Sequence, residues 1–224
     1  MLHGHGQSGL FFYYKTCFLH TALKNKLESA ILEGVIPPFV GGIEFLYPNG
    51  PLPAGDHHNG DTWAWGYGDF EHDQVAGLDK TIRSVMSLLD QQGPFIGIIG
   101  FSTGAAVAAI IASLLERCDP CQMFPIQTLH PPLRFVIGFS GFMLEHSSYQ
   151  FLYERQIQTP MMHFIAQLDT MIPGELTRQL AKQCSSCEIR YFEGTHHVPC
   201  SHDTTHDVTD FICQNLAKRE AEGN

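Results

Sequence analysis

The fold of this 224-residue chain is decided by the stretch Phe95-Ile96-Gly97-Ile98-Ile99-Gly100-Phe101-Ser102-Thr103-Gly104-Ala105-Ala106. Its apolar first half predicts a strand, and the small residues after Ser102 predict a helix. Strand, sharp turn and helix form the context that a nucleophile elbow requires. Gly100 and Gly104 fit this turn, because residues two positions from the serine must be nearly free of side chain. The pattern predicts Ser102 as a nucleophile, with a plain Gly-Ser turn of an α/β protein as the alternative.

Apolar and amphipathic stretches alternate on both sides of this turn. Strands are predicted at Ile43–Tyr47, Phe95–Gly100, Phe135–Phe139, Met161–Ala166 and Ile189–Phe192. Helices are predicted at Leu10–Leu27, Gln74–Leu89, Thr103–Leu115, Gly174–Cys184 and Thr204–Ala217. This alternation predicts a mainly parallel central sheet with helices on both faces. Together with the elbow it indicates the α/β-hydrolase fold, and we expect residues 1–224 to form one such domain.

Two segments interrupt the alternation. Residues 48–70 are rich in Gly, Pro, Asp and aromatic side chains and are too long for a plain connection, so we expect a loop or lid insertion at about 48–70. Trp63 and Trp65 in this insertion would line a substrate pocket or pack into the core. The second segment, Cys118–Pro132, is rich in proline and is expected to be a surface excursion.

A serine nucleophile needs a histidine and an acid further along the chain. Asp169 and His196 each follow a predicted later strand, in the order serine, acid, histidine. The histidine would accept the proton of Ser102, and the carboxylate would fix the histidine tautomer. His197 is the alternative base, because adjacent loop residues point in different directions and only one of them can face Ser102.

Backbone N–H groups would stabilise the oxyanion that forms during attack. One is expected from Thr103, directly after the nucleophile. The other is assigned to His5 in the glycine-rich loop His3–Gly9, whose backbone can approach a substrate closely. The His5 side chain needs no role, and His3 is expected to brace the loop through hydrogen bonds.

Charge and hydropathy limit the partners. The formal net charge is −10 and no basic stripe is present, which argues against nucleic acid. No apolar run approaches the roughly 20 residues that span a bilayer. The start of the chain also lacks the layout of a secretory signal. We therefore expect a cytoplasmic protein without a membrane partner.

Seven cysteines include two pairs with the spacing of metal ligands, Cys118 with Cys121 and Cys184 with Cys187. Each pair follows a predicted helix and the pairs are far apart in sequence, so free thiols are preferred over a zinc site. An odd count argues against a disulfide framework. The histidine-rich stretch His196–His206 contains no H-E-x-x-H arrangement. No metal and no other cofactor are expected.

Motifs along nearly the whole chain resemble the fungal family of serine hydrolases known as FSH, relatives of the ovarian-cancer gene 2 hydrolases. In the G-x-H-x-V-P pattern of that family the catalytic histidine precedes valine by two positions, so the resemblance selects His196. Thr103 stands where the family often has glutamine, and only Met1 precedes the L-H-G motif, so we expect a short sheet edge or a start upstream. The matching motifs are Leu2-His3-Gly4-His5-Gly6-Gln7-Ser8-Gly9, Gly93-Pro94-Phe95 with the elbow, Ser140-Gly141-Phe142, Asp169 with Ile172-Pro173, and Gly194-Thr195-His196-His197-Val198-Pro199.

The resemblance implies a thioesterase or esterase of fungal secondary metabolism that acts through an acyl-Ser102 intermediate. Its small-molecule acyl substrate would be a polyketide-type chain, with the acyl carrier protein of a polyketide synthase as a potential partner. The candidates for the substrate pocket are Trp63, Trp65, Phe142 and Met171. A general carboxylesterase is the near alternative. A non-catalytic ligand-binding protein of the same fold is the distant one, because the three proposed catalytic residues are all present.

Overall fold

A parallel sheet organises the computed structural model, which describes residues 1–38, 42–55, 60–69, 74–117 and 128–217. The elements in chain order are α1 (Gly9–Leu32), β1 (Leu52–Pro53), β2 (Trp63–Ala64), β3 (Tyr67–Asp69), β4 (Gln74–Ala76), α2 (Leu78–Gln92), β5 (Gly97–Phe101), α3 (Thr103–Leu115), β6 (Phe135–Phe139), a 3₁₀ helix (Ser147–Tyr153), β7 (Met161–Ala166), α4 (Gly174–Lys182), β8 (Cys187–Phe192) and α5 (His202–Ala217). The main sheet has four strands in the order β5-β6-β7-β8. All of its pairings are parallel, which confirms the predicted fold class.

Side chains of the sheet alternate between two cores, as the two-residue period of a strand requires. Ile98 and Val136 face the core that α2 and α3 cover. Ile99 and Ile137 face the opposite core, beneath α1 and α5. Because β6 and β7 are buried at every position, their sequences are apolar except for the buried His163, and both were predicted with the bounds that the structure has.

The predicted strand Ile43–Tyr47 is wrong, because no strand forms in the described range 42–49. Phe45 and Tyr47 do pack against the core beneath α1, which accounts for their apolar pattern. A strand also needs a neighbour with matching hydrogen bonds. The free edge of β5 is contacted instead by Leu2, whose N–H donates to the carbonyl of Ile99 at 2.8 Å.

The predicted helix Gln74–Leu89 is wrong at its start. Residues Gln74–Ala76 form β4, which pairs with β3. Gly77 then adopts a left-handed conformation with φ +80, and α2 begins only after it, at Leu78. Several other ends differ by one to five residues: α1 extends from Gly9 to Leu32, β5 runs from Gly97 to Phe101, α4 ends at Lys182, β8 begins at Cys187 and α5 begins at His202.

The described part of the predicted insertion, residues 48–55 and 60–69, carries short antiparallel pairs rather than plain loop. β1 pairs with β2, and β3 pairs with β4. Residues 56–59 and residue 70 of the insertion lie outside the described residues, as do residues 118–127 of the predicted proline-rich excursion. A single domain with a lid stays a prediction. Within the described ranges, no helix has the length and apolar character needed to cross a bilayer.

Candidate active site

Ser102 lies in the turn between β5 and α3 with φ 54 and ψ −122, a backbone conformation that residues other than glycine rarely adopt. Strain of this kind costs about 1–3 kcal/mol and persists only where the surroundings fix it. The neighbouring glycines explain how the turn closes. A Cβ on Gly100 would lie 2.5 Å from the carbonyl oxygen of Gly104, and a Cβ on Gly104 would lie 2.4 Å from the carbonyl oxygens of Leu2 and His3.

A chain of hydrogen bonds joins this serine to two distant residues. His196 Nε2 lies 3.0 Å from Ser102 Oγ, and His196 Nδ1 lies 2.8 Å from Asp169 Oδ2. A carboxylate can only accept, so Nδ1–H donates to Asp169, and Nε2 is left to accept from the serine hydroxyl. The ring of His196 also packs against the ring of Phe101 at 4.7 Å, which limits its rotation. The structure therefore brings together the three residues predicted as nucleophile, base and acid.

Asp169 is held as a carboxylate although its side chain is only 1% exposed. Burial opposes ionisation, but hydrogen bonds from the backbone N–H of Ile172, from His196 and from Ser140 outweigh it, so the pKa of Asp169 lies below its ordinary value. The N–H groups of Met171 and Ile172 both donate to Oδ1, at 3.0 and 2.9 Å. This leaves Oδ2 for His196 and Ser140.

Ser140 is a site residue to which the sequence analysis assigned no role. Its hydroxyl donates to Asp169 Oδ2 at 2.8 Å, and it adopts a left-handed conformation with φ 50 directly after β6. The signal that could have identified it is its position: a polar residue ends the strand beside β5, at the edge where Ser102 lies. The motif Ser140-Gly141-Phe142 was recognised, but it was not connected to the acid.

His197 does not take part in this chain of hydrogen bonds. Its Nδ1 lies 3.1 Å from the carbonyl oxygen of Thr195, and its ring meets the edge of Phe192 at 5.5 Å. Of the two adjacent histidines, the structure places His196 between Ser102 and Asp169.

The glycine-rich loop lies against the elbow. A Cβ on Gly4 would come within 2.9 Å of the Phe101 ring and 3.5 Å of Ser102 Cβ, so only glycine allows this approach without a shift of the ring. The predicted bracing by His3 is confirmed: Nδ1 lies 2.7 Å from the carbonyl oxygen of Gly4, and Nε2 accepts from the N–H of Gly50 at 2.9 Å. Burial lowers the pKa of His3, which keeps the ring neutral for these two roles.

The proposed oxyanion donors lie on the two segments that meet at this point. Thr103 is the first residue of α3, where the N–H groups of a helix have no partner within the helix. His5 follows Gly4 and is exposed. The assignment of their two N–H groups to an oxyanion stays a prediction.

The four residues predicted to line a substrate pocket have different environments. Trp63 is half-buried and its Nε1 donates to Asp61 at 2.7 Å. Trp65 is 1% exposed and its Nε1 donates to the carbonyl oxygen of His3 at 2.8 Å, as the core-packing alternative expects. Phe142 is also buried, whereas Met171 is 66% exposed beside Asp169 in sequence. Their contact with a substrate stays a prediction.

Two other features of the structure bear on ligands. An apolar cavity of about 110 Å³ lies at the amino-terminal half of β5 and is lined by residues such as Leu2, Leu89 and Ile98, away from the end of the strand that carries Ser102. Where side chains are described, no group of three or more His, Cys, Asp or Glu residues is placed to hold a metal ion. Cys118 and Cys121 lie outside the described residues.

An elbow serine that is hydrogen-bonded to a histidine, which a buried carboxylate orients, is the catalytic triad of the serine hydrolases. The parallel sheet and this arrangement define the protein as a serine hydrolase with the α/β-hydrolase fold. Residues 1–208 match the family described as Serine hydrolase (FSH1), and the chain belongs to that family.

Two of three similar proteins have names that agree with this assignment. Esterase OVCA2 of Danio rerio is 29% identical over 94% of this chain and 94% of its own length. Family of serine hydrolases 2 of Saccharomyces cerevisiae is 30% identical over 96% of both chains. A Schizosaccharomyces pombe protein named Dihydrofolate reductase is 27% identical over 75% of this chain. The match covers only 40% of the length of that longer protein.

Solved structures share the fold at lower identity. The acyl-protein thioesterase 2 of Zea mays superposes with a TM-score of 0.61 at 17% identity, over 96% of this chain and 91% of its own. SOBER1 of Arabidopsis thaliana superposes with a TM-score of 0.63 at 17% identity, over 96% of both chains. The similarity in architecture extends over nearly the whole chain.

Proposed function

We propose that this hydrolase cleaves acyl esters or acyl thioesters through a covalent acyl-Ser102 intermediate. The observation that carries the proposal is the hydrogen-bonded series from Ser102 through His196 to Asp169. The esterase name of the OVCA2 relative supports the same class of reaction.

In the proposed first step Ser102 Oγ attacks the acyl carbon while His196 Nε2 takes the hydroxyl proton. Asp169 stays ionised and stabilises the imidazolium, which agrees with a pKa below its ordinary value. The N–H groups of Thr103 and His5 would receive the oxyanion. When the tetrahedral intermediate collapses, His196 returns the proton to the departing alcohol or thiol. Water then attacks the acyl-enzyme with His196 as base again, which releases the acid and regenerates the serine.

Exposed apolar side chains on the two segments beside Ser102 support an acyl chain as the substrate. Leu168 and Met171 flank Asp169 in sequence and are 65% and 66% exposed. Leu10 and Tyr14 follow the glycine-rich loop by a few residues, lie on one face of α1 and are also exposed. An acyl chain would give these exposed side chains an apolar partner.

A polyketide-type chain is the narrower form of the proposal, and it is supported only by the resemblance to fungal FSH enzymes. The net charge of this chain argues against a substrate that is delivered on an acyl carrier protein. Carrier proteins are usually acidic, and this chain has a net charge of −10. Two of its exposed cations, Lys26 and Arg83, are paired with Asp210 and Asp79. A small free ester or thioester is therefore the substrate form that we favour.

We place this activity in the cytoplasm. The five cysteines in the described part of the chain are free thiols, as is usual in a reducing compartment.

The test combines an active-site probe with matched substrates. A fluorophosphonate should label wild-type protein at Ser102, and Ser102→Ala should remove both labelling and turnover, by about 10⁴- to 10⁶-fold in kcat. A panel that offers each acyl chain as an oxyester and as a thioester separates the two leaving groups. Full labelling of the alanine variant at another residue would contradict the nucleophile assignment, and absence of turnover on every acyl chain would contradict the substrate class.

A further inference from the structure

A pair of cysteines occupies the end of the sheet opposite to Ser102. The sequence Cys184-Ser185-Ser186-Cys187 connects α4 to β8, and Cys187 pairs with Met161 at the amino-terminal start of β7. Because the strands are parallel, this position is separated from the proposed reaction centre by the length of the strands, about 17 Å. The proposed hydrolysis at Ser102 does not use these two thiols.

Backbone hydrogen bonds fix the connection between the two cysteines. Ser185 N–H donates to the carbonyl oxygen of Ile157 at 2.9 Å, and Met161 N–H donates to the carbonyl oxygen of Ser186 at 3.0 Å. Cys184 itself forms a parallel bridge with Ile157. The turn is thus held on the sheet at both of its serines, and the two cysteines have fixed positions.

The two thiols lie in one cluster of polarisable groups. Cys184 Sγ is 3.4 Å from Met161 Sδ and 3.9 Å from His163 Nε2. Cys184 belongs to the core that α2 and α3 cover, and the partly buried Cys187 packs against that same core. The neighbouring Cys184 lowers the pKa of Cys187 against the effect of burial, and His163 lowers it further. The neighbouring Cys187, together with burial, raises the pKa of Cys184. One thiol is therefore biased towards the thiolate, and its neighbour remains protonated beside it.

Solvent access also differs between the two. Cys184 is buried and Cys187 is half-buried, next to the exposed Ser185 and Ser186. Reactive cysteines combine thiolate character with partial exposure, and a resolving cysteine often lies beside them. Cys187 has the first two properties, and Cys184 is the neighbouring thiol.

We propose that Cys184 and Cys187 form a redox-active dithiol that closes to an intramolecular disulfide on reaction with a hydroperoxide. The Cys187 thiolate attacks the terminal peroxide oxygen and breaks the O–O bond, which gives the sulfenic acid and an alkoxide or hydroxide that takes up a proton. The sulfur of Cys184 then attacks the sulfur of Cys187, loses its proton and releases water. Overall, the two thiols lose two electrons and form the disulfide. The hydroperoxide gains these electrons and gives one alcohol, or one water in the case of hydrogen peroxide, together with one further water.

A soft metal ion is the competing occupant of this cluster. The observations favour the dithiol, because the described residues include no set of three or more His, Cys, Asp or Glu ligands arranged around a common point.

Peptide mapping of the full chain tests the proposal. Trypsin cuts after Lys182 and Arg190, so both thiols lie in the single peptide Gln183–Arg190, whereas Cys17 lies alone in Thr16–Lys24. The reduced protein is treated with one equivalent of hydrogen peroxide, alkylated and digested. The first peptide should become lighter by two hydrogen atoms and lose its alkylation, on the order of tenfold faster than the exposed Cys17 is oxidised.

Two variants assign the roles of the thiols. In Cys184→Ser the sulfenic acid of Cys187 should accumulate and be trapped by dimedone, whereas Cys187→Ser should give no adduct at the buried Cys184. Cys17→Ser is the matched control and should leave disulfide formation unchanged. If Cys184→Ser fails to fold, the wild-type map still decides. The proposal is wrong if both thiols of the peptide remain alkylatable after Cys17 has been oxidised, or if the reduced protein holds a stoichiometric metal ion that blocks alkylation until a chelator removes it.

Discussion

The two adjacent histidines give the sharpest test of the proposed mechanism. His196→Ala removes the acceptor that lies 3.0 Å from Ser102 Oγ and the donor that lies 2.8 Å from Asp169. Loss of a member of such a triad lowers kcat by about 10⁴- to 10⁶-fold, which corresponds to about 5.5–8 kcal/mol of transition-state stabilisation. Residual turnover should come from oxyanion stabilisation and binding, which do not depend on the base.

His197→Ala is the matched control, one residue further along the same loop. The substitution removes an exposed hydrogen bond to Thr195 and an edge contact with Phe192. Such surface changes usually alter the free energy of unfolding by no more than about 0.5 kcal/mol. We therefore expect its kcat to stay within about threefold of wild type, because the hydrogen-bonded series through His196 is intact.

The assay is kcat and KM for both variants on the ester or thioester that the wild-type protein cleaves fastest. The fluorophosphonate labelling rate is measured in parallel, and thermal unfolding shows whether each variant is folded. A folded His196→Ala that retains wild-type turnover, with His197→Ala inactive, would refute the assignment of the base. Wild-type turnover in both variants would exclude both His196 and His197 as the base.

Three further predictions concern the residues around this series. In Gly104→Ala the new Cβ would lie 2.4 Å from the carbonyl oxygens of Leu2 and His3, so we expect a loss of about 1–3 kcal/mol in urea unfolding and slower fluorophosphonate labelling. Ser140→Ala removes a hydrogen bond to a buried carboxylate, worth about 1.5–3 kcal/mol, and kcat should fall at least about tenfold. Ser140→Gly should lose as much activity but less stability, because glycine relieves the φ of 50; equal stability of the two variants would contradict this reasoning. The lowered pKa of Asp169 stabilises the fold above its unfolded pKa of about 3.9, and this contribution is lost as the pH falls through the lower folded pKa. The stability difference between wild type and Asp169→Asn should therefore shrink between about pH 5 and the folded pKa, and a constant difference in urea titrations would contradict it.

Much of the fold was predictable because its strongest signals are local. β6 and β7 are runs between turns that are apolar except for His163, and their bounds were predicted as the structure has them. The helix after Ser102 was also predicted with the correct bounds, since the elbow fixes where it begins. Burial on both faces of a parallel strand leaves little ambiguity in such sequences.

The wrong strand at residues 43–47, the open placement of Trp65 and the missed role of Ser140 all involve contacts between distant residues. Residues 43–47 have the apolar character of a strand, but the neighbour of β5 at that edge is Leu2, which sequence pattern alone does not specify. Trp65 could be placed in a pocket or in the core, and only the contact of its indole with His3 distinguishes the two. Ser140 was missed because its role depends on Asp169, 29 residues further along the chain.

Sheet register explains why the proposed catalytic residues could be found from sequence order while Ser140 could not. Phe101 and Phe139 are register partners, and the ladder continues one residue beyond them: Ser102 N–H donates to the carbonyl of Phe139 at 2.8 Å. Ser140 N–H donates in the same way to the carbonyl of Phe164 at 2.9 Å. Both serines leave their strands with positive φ, so two neighbouring strands turn at the same level and direct their hydroxyls to the residues that follow β7 and β8. Nucleophile, acid and base each have a recognisable residue type after a strand, and parallel register then brings them together. A supporting serine has no such signature, so its role follows only from the register.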